Sequence, residues 1–294
     1  MNIYICSLLS KKNYKFLNSH LKSLNRLKIP GNYKFKIIFV INPKFNIARN
    51  LLKKFLNNID YLILESIREN IPDSRNVFLK FIKNKNIRYA GFLDDDCIID
   101  KNWLYNMINF IDKNNCDIVG GPQKHKIKNK IFRDYYNVLE PNRHHGELVS
   151  WVATNNCFFS KKVLSKSNIL FDPKLSNIGG SDQLFFNKLN KKKFLIRWNK
   201  KSFITENFNF QRENRKWFLR RNLRYGYSGN LIDKIIYGKM SLLIILIKLF
   251  YLIICSLLLL IFPSRKNYIK ASFFILRALG RFIALFKYKP KKYI

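Results

Sequence analysis

The chain has 294 residues, 48% apolar and 25% charged, which is enough for a large globular domain with a tail and excludes a disordered chain. Lys plus Arg number 55 against 18 for Asp plus Glu, a net charge of +37, so the partner is anionic, a phospholipid or a phosphorylated substrate, or the charge lies on solvated faces of a chain rich in Lys, Asn and Ile. The basic residues are spread along the whole length rather than gathered with aromatics in one module, which argues against a nucleic-acid binder.

The first part alternates strand-like and helix-like patterns. Asn2–Leu9 reads as a buried strand. Tyr14–Leu27 places Phe16, Leu17, Leu21, Leu24 and Leu27 at helical spacing. Tyr33–Ile41 predicts a second strand, Ile47–Leu56 a helix, Tyr61–Leu64 a strand, Ile71–Ile82 a helix, and Ile87–Leu93 a strand running into Asp94, Asp95 and Asp96. This order predicts an α/β fold, a doubly wound, mainly parallel sheet in which ligands bind at the carboxyl ends of strands. From Ile118 to Trp198 the pattern is less regular: short strands at Leu148–Val152 and Phe194–Trp198, turns at Gly120-Gly121-Pro122 and Gly179-Gly180, and a helix from about Ser181. An Arg-rich helical stretch follows over Arg212–Tyr225. The five cysteines, Cys6, Cys97, Cys116, Cys157 and Cys255, are too far apart for a zinc or redox pair and suit a reducing compartment. The opening MNIYICSLLSKK is too short in apolar residues to be a signal peptide.

Composition shifts near residue 236. Ser241–Phe262 is almost wholly apolar, near the length that spans a bilayer, with Lys248 as its one charge. It reads as a span or a re-entrant hairpin; the competing reading, a buried core helix, lacks the expected amphipathic pattern. Pro263-Ser264-Arg265-Lys266 closes it, and Tyr268–Phe286, with Lys270, Arg277 and Arg281 among aromatic and apolar residues, resembles an interfacial helix. The last residues, 287–294, are basic again. Residues 1–235 are therefore expected to form the catalytic domain and 236–294 a membrane segment with an amphipathic basic tail.

Three adjacent carboxylates repel one another and are tolerated where a cation or solvent neutralises them. On an extended chain Asp94 and Asp96 share a face, and hard carboxylate oxygens suit Mg2+ or Mn2+, which also coordinate phosphates. The competing reading is a solvated acidic turn with Asp100 capping the next helix.

Phe92-Leu93-Asp94-Asp95-Asp96, followed by Trp103-Leu104, resembles the aspartate motif of family 2 glycosyltransferases, which have the GT-A fold. Further segments resemble the family's motifs in the same order: Glu69-Asn70-Ile71-Pro72-Asp73-Ser74-Arg75-Asn76, Asp117-Ile118-Val119-Gly120-Gly121-Pro122, Thr154-Asn155-Asn156-Cys157 and Gly179-Gly180-Ser181-Asp182. Arg212, Trp217, Arg221, Arg224 and Gly226, with Arg277-Ala278-Leu279-Gly280-Arg281 in the tail, are similar to patterns in bacterial membrane-associated members.

The resemblance implies an inverting transfer from a nucleotide-diphosphate sugar. Asp96 would ligate a Mg2+ or Mn2+ cofactor, with Asp94 placing the nucleoside or a metal-bound water and Asp95 beside them. Asp182 would take the proton of the acceptor hydroxyl; as a bare pattern it could equally cap its helix. Arg212, Arg221 and Arg224 could grip phosphates or lie on anionic lipid, and Arg75 could touch the nucleotide. Trp151 and Trp217 suit either stacking on a ligand or core packing, and His144-His145 face apart, which disfavours a metal pair. Three positions depart from the family pattern. Ile41-Asn42 stands where an Asp-Asn-like pair reads the donor nucleoside, Ser181 stands where Glu precedes the catalytic Asp, and Glu206 could take the place of a metal-binding His as an oxygen ligand to the metal.

The expected function is transfer of a sugar to a hydroxyl of a lipid-linked or surface glycan, on a glycan or polyprenyl-lipid acceptor, at the cytoplasmic face of the plasma (inner) membrane. The alternative is a non-catalytic, basic peripheral membrane protein that has kept the fold.

Overall fold

The computed structural model describes residues 1–45, 47–68, 70–127, 129–207 and 212–286. Glu69 and the basic tail 287–294, both singled out in the sequence, lie outside the described residues. The chain forms two compact units: Met1–Lys126 with Arg143–Pro173 and Phe185–Asn207, and Ile127–Asn142 with Lys174–Leu184 and Phe208–Ile294.

The first unit is built on a seven-stranded sheet in the order β3-β2-β1-β4-β8-β6-β9. Its strands are β1 (Asn2–Leu9), β2 (Lys34–Ile41), β3 (Asp60–Glu65), β4 (Tyr89–Asp94), β6 (Ile118–Gly120), β8 (Asn156–Ser160) and β9 (Ile196–Trp198). β1 to β4 pair in parallel, β8 runs antiparallel to both β4 and β6, and β6 is parallel to β9. The alternation of strand side chains sets the layers. On β2, Phe35, Ile37, Phe39 and Ile41 point into a core with helices α1 (Tyr14–Leu24), α2 (Ile47–Phe55) and α4 (Trp103–Lys113). Ile38 and Val40 point into the opposite core, against α3 (Ile71–Ile82), α6 (Lys161–Ser167) and the Phe185–Leu189 part of α7 (Ser181–Lys191). A sheet covered on both faces needs continuous apolar runs, which is what these strands are.

A second sheet of three short strands, β5 (Cys97–Ile99), β10 (Ile204–Glu206) and β7 (Gln123–His125), has β10 in the middle. The strand expected over Leu148–Val152 does not form. Among the described residues the segment makes a single isolated bridge, Leu148 to Arg197, because only there does it find a strand partner in register.

In the second unit, α5 (Arg133–Leu139) packs with α8 (Arg215–Tyr237) and α10 (Arg265–Ile283) through Tyr136, Phe218, Ile269 and Phe273. The partners of α8 and α10 advance together along both helices, so the two run in the same direction. Asn222 meets Arg277 (2.8 Å), Asn230 meets the Arg281 carbonyl (2.7 Å) and Lys234 meets the Ala284 carbonyl (3.3 Å). Glycine permits this approach: a Cβ on Gly226 would lie 2.0 Å from the Arg277 carbonyl oxygen, and one on Gly280 2.0 Å from that of Leu223. Between them in sequence runs α9 (Ser241–Ile261), in the opposite direction. Its Lys248 bonds Asp233 at 2.7 Å, and its Ser256 hydroxyl donates to the Ala271 carbonyl at 3.1 Å. The amphipathic helix expected over Tyr268–Phe286 begins three residues earlier, at Arg265, because Ser264 caps it by accepting the Asn267 N–H.

His20 of α1 is a buried polar hinge of the first unit. One ring nitrogen faces Ser7 Oγ at 3.0 Å and the other the Cys97 carbonyl at 2.7 Å. Burial pushes its pKa from the usual 6.5 down to about 4. The unfolded chain takes up this proton near pH 6.5 and the folded chain only near 4, so the stabilisation is complete above 6.5 and is lost as pH falls towards 4. The shift corresponds to about 3 kcal/mol. In urea titrations the stability gap between the native protein and His20→Gln should narrow by most of that amount between pH 7 and 4.5; a gap independent of pH would show that His20 is not held neutral.

Candidate active site

β4 carries its apolar run to the sheet edge and ends at Asp94; Asp95 and Asp96 form the turn into β5. The sequence expectation of an extended triplet with two carboxylates on one face is therefore corrected. The chain bends after Asp94 because Asp95 is tied to the end of β1. Its two oxygens accept the Ser10 N–H at 2.7 Å and the Asn13 side-chain amide at 2.5 Å. Burial raises the Asp95 pKa to about 7, while the Asn13 and Ser10 hydrogen bonds oppose the rise.

Asp94 faces outward from this anchor, its side chain 38% exposed, with Arg75 Nη2 3.7 Å away. Arg75 is held from behind. Its guanidinium lies 5.4 Å from the centre of the Phe171 ring, and the side-chain amide of neighbouring Asn76 fixes Phe171, donating to its carbonyl at 2.9 Å and accepting its N–H at 2.8 Å. A nearly buried cation is thus presented to the half-exposed carboxylate at the carboxyl end of a central strand.

Asp96 is buried, and its carbonyl accepts the Asn207 N–H at 2.8 Å. β10 pairs there in a register that sets Glu206 opposite Cys97 on one side and His125 on the other. Glu206 Oε2 accepts the Gln123 amide and lies 3.1 Å from His125 Nδ1; Gln123 in turn accepts from Asn155. The Cys97 thiol reports the field between these groups. Burial first, then the charges of Asp96, Asp94 and Glu206, push its pKa well up. Asn156 braces the same edge, accepting the Trp103 indole N–H at 2.7 Å and donating to the carbonyls of Pro122 and Ser202.

Among the described residues no group of three or more His, Cys, Asp or Glu is arranged to hold a metal ion. A hard divalent cation is commonly held by one or two carboxylates together with substrate phosphates; of the two outer aspartates, Asp94 is half-exposed at this edge and Asp96 is buried. Asn42 closes the turn after β2, accepting the Lys44 N–H at 2.9 Å and donating to the Ser66 carbonyl at 3.5 Å.

Asp182, Arg212, Arg221 and Arg224 belong to the second unit. Gly179 and Gly180, with φ of +86° and +85°, make the turn into α7, in which Asp182 is the second residue. Its Oδ1 accepts the Gln183 N–H at 2.8 Å. The Arg224 guanidinium packs beside Gly179. Arg221 is stacked between Trp217 and Tyr225, its centre 4.8 and 5.2 Å from the two rings, and Asn214 caps α8 just after Arg212. Of the two tryptophans singled out in the sequence, Trp217 joins the aromatic core of its unit, and Trp151 lies 5.4 Å from the Arg143 guanidinium.

Sequence reading missed Ser10, Asn13, Gln123 and His125. The first two are ordinary polar residues after a strand. The last two sit at alternate positions of a three-residue strand after Gly120-Gly121-Pro122, and that alternation is the only signal the sequence offers.

A family model described as Glycosyl transferase family 2 matches residues 8–176. A search of curated proteins finds none whose sequence matches this chain. Among solved structures, TarS 1-349 from S. aureus superposes with a TM-score of 0.54 at 15% identity, covering 98% of this chain and 92% of that one. The same protein has been solved with UDP-GlcNAc. The mannosyltransferase PcManGT from Pyrobaculum calidifontis, solved with GDP-Man and Mn2+, gives a TM-score of 0.63 at 12% identity over 98% of this chain and 88% of that one. The fold is the GT-A fold.

The Asp95 anchor separates folding from ligand binding. Asp95→Ala leaves the Ser10 N–H and the Asn13 amide without their acceptor and should cost about 1–3 kcal/mol of stability. Asp94→Ala, at a half-exposed carboxylate, should leave the denaturation midpoint nearly unchanged. Chemical denaturation of the two variants checks the contrast, and equal losses would refute it.

Proposed function

This chain belongs to glycosyl transferase family 2, and we propose that it is an inverting transferase that moves a sugar from a nucleotide-diphosphate sugar to a hydroxyl of a lipid-linked or surface glycan. The observation that carries the reading is the carboxylate turn at the end of β4, with Arg75 at 3.7 Å from Asp94, at the sheet edge where α/β folds bind ligands.

In this reading Asp94, Asp96 and Glu206, the last positioned by Gln123 and His125, would hold Mg2+ or Mn2+ together with the donor's diphosphate. A bound divalent cation supplies positive charge where the leaving diphosphate gains negative charge. Asp95 sets the turn that aims its neighbours, and Arg75 and Asn42 flank the donor. PcManGT was solved with GDP-Man and Mn2+ and TarS with UDP-GlcNAc, and these support a nucleotide-sugar donor and a divalent ion.

Asp182 serves as the general base. The acceptor oxygen forms a bond to the anomeric carbon as the bond to the diphosphate oxygen breaks. The hydroxyl proton passes to the Asp182 carboxylate, the nucleoside diphosphate leaves, and attack from the opposite face inverts the configuration. Arg212, Arg221 and Arg224 supply cations for the phosphates of donor or acceptor. The catalytic part is assigned to 1–235 and membrane attachment to 236–294, on the cytoplasmic face; an exposed apolar helix 21 residues long supports the attachment.

Two substitutions divide binding from chemistry. Asp96→Ala should abolish the Mn2+-dependent part of nucleotide-sugar affinity; calorimetry showing unchanged affinity with metal would remove Asp96 from the site. Asp182→Asn keeps size but removes the basic oxygen. Turnover should fall roughly 10²–10⁴-fold with donor affinity unchanged. A helix-capping role predicts a nearly silent change, because Asn caps as well as Asp; turnover near normal on the same preparation would reject Asp182 as the base.

A further inference from the structure

We propose that α9 does not cross the membrane but lies flat in one leaflet, as an in-plane helix. This rests on the membrane attachment proposed above and decides its geometry. At 21 residues and about 1.5 Å per residue, α9 is about 31 Å long, close to the ~30 Å hydrocarbon thickness, so length by itself allows a crossing. Its neighbours do not.

Both halves of the α9 segment are tied to the same unit. Two turns into the helix, Lys248 bonds Asp233 of α8 at 2.7 Å, and Asp233 also holds Arg281 of α10 at 2.7 Å. Just past its end, Arg265 lies 3.3 Å from the Asp134 carboxylate of α5 and donates to the Ile131 carbonyl at 3.0 Å. A helix that emerged on the far side of a bilayer could not return its next turn to α5.

The helices beside α9 make the same point. α10 runs antiparallel along it, with Ser256 against Ala271, and carries Arg265, Lys266, Lys270, Arg277 and Arg281. α8, packed directly against α10, carries Arg220, Arg221, Arg224, Asp233 and Lys234. A crossing α9 would take these charges into hydrocarbon with it, against a large cost for each. Laid flat, α9 needs no such transfer. Its inner side buries Ile245, Leu249 and Ser256. Its outer side offers Leu243, Ile247, Phe250, Ile254 and Leu258, each more than half exposed. Exposed Lys239, Lys266 and Lys270 near the two ends of the helix suit anionic headgroups. Charge and apolar face together identify the occupant as an anionic bilayer surface.

The test uses sealed, everted inner-membrane vesicles from cells expressing the full chain with Cys255→Ser, the other four cysteines being buried. Pro263→Cys, at the turn after α9, and Lys130→Cys, beside α5, are treated with a membrane-impermeant maleimide. Both should label equally from the outside without detergent. Labelling at 263 only after permeabilisation would overturn the in-plane reading and leave membrane attachment standing. Chain found in the soluble fraction would overturn attachment itself, and a soluble dimer would assign the apolar face to a second copy. Nitroxides at Leu243→Cys, Ile247→Cys, Phe250→Cys, Ile254→Cys and Leu258→Cys give a second readout. Uniform depth along the helix is expected, whereas depth that rises to a maximum at the middle and falls again would show a crossing.

Discussion

The aspartate turn at the end of β4 depends on one buried carboxylate bonded to the Ser10 main chain and the Asn13 side chain. Three adjacent aspartates cannot remain extended and charged at a sheet edge without a counterweight. Asp95 turns inward, onto the Ser10 N–H and the Asn13 amide, and so breaks the strand after Asp94. Asp94 is then left half-exposed towards Arg75, and Asp96 is carried to the place where Asn207 and Glu206 meet the chain. The same tie joins the end of β1 to the end of β4, two neighbouring parallel strands of the sheet. Fold and site share this anchor, and that is why Asp95 is buried rather than solvated.

The second unit rests on a different constraint, the close approach of α8 and α10. Backbones that meet at Gly226 and Gly280 leave room for only hydrogen and bring polar side chains into register down the seam: Asn222 with Arg277, Asn230 with the Arg281 carbonyl, Asp233 with Arg281. Asp233, its side chain 6% exposed, pairs with two cations, Lys248 and Arg281, each at 2.7 Å. Lys248, which in sequence is an isolated charge in an apolar run, is one of those two. An apparent defect in an apolar helix is thus a tether to its neighbour α8.

Much of this was legible in the chain because periodicity and local motifs record it. Alternating runs such as Lys34–Ile41 fixed strands to within a residue or two, and the positions of Leu17, Leu21 and Leu24 marked α1. The aspartate triplet marked the carboxyl edge because acidic residues are scarce in this chain. Leu148–Val152 misled for the opposite reason: an apolar run predicts a strand only where a neighbour is in register to pair with it, and there only Leu148 finds one.

What the sequence determined by itself was the order of elements, the family resemblance and the residue types at the site, since each of these is written in local pattern. What only the tertiary structure decided was which of those residues touch. Asp95 pairs with Asn13 across 82 positions, His125 and Glu206 meet across β7 and β10, and Lys248 reaches Asp233 on another helix. No local pattern encodes such pairs, because their partners are chosen by strand register and helix packing, which are set by burial over the whole chain.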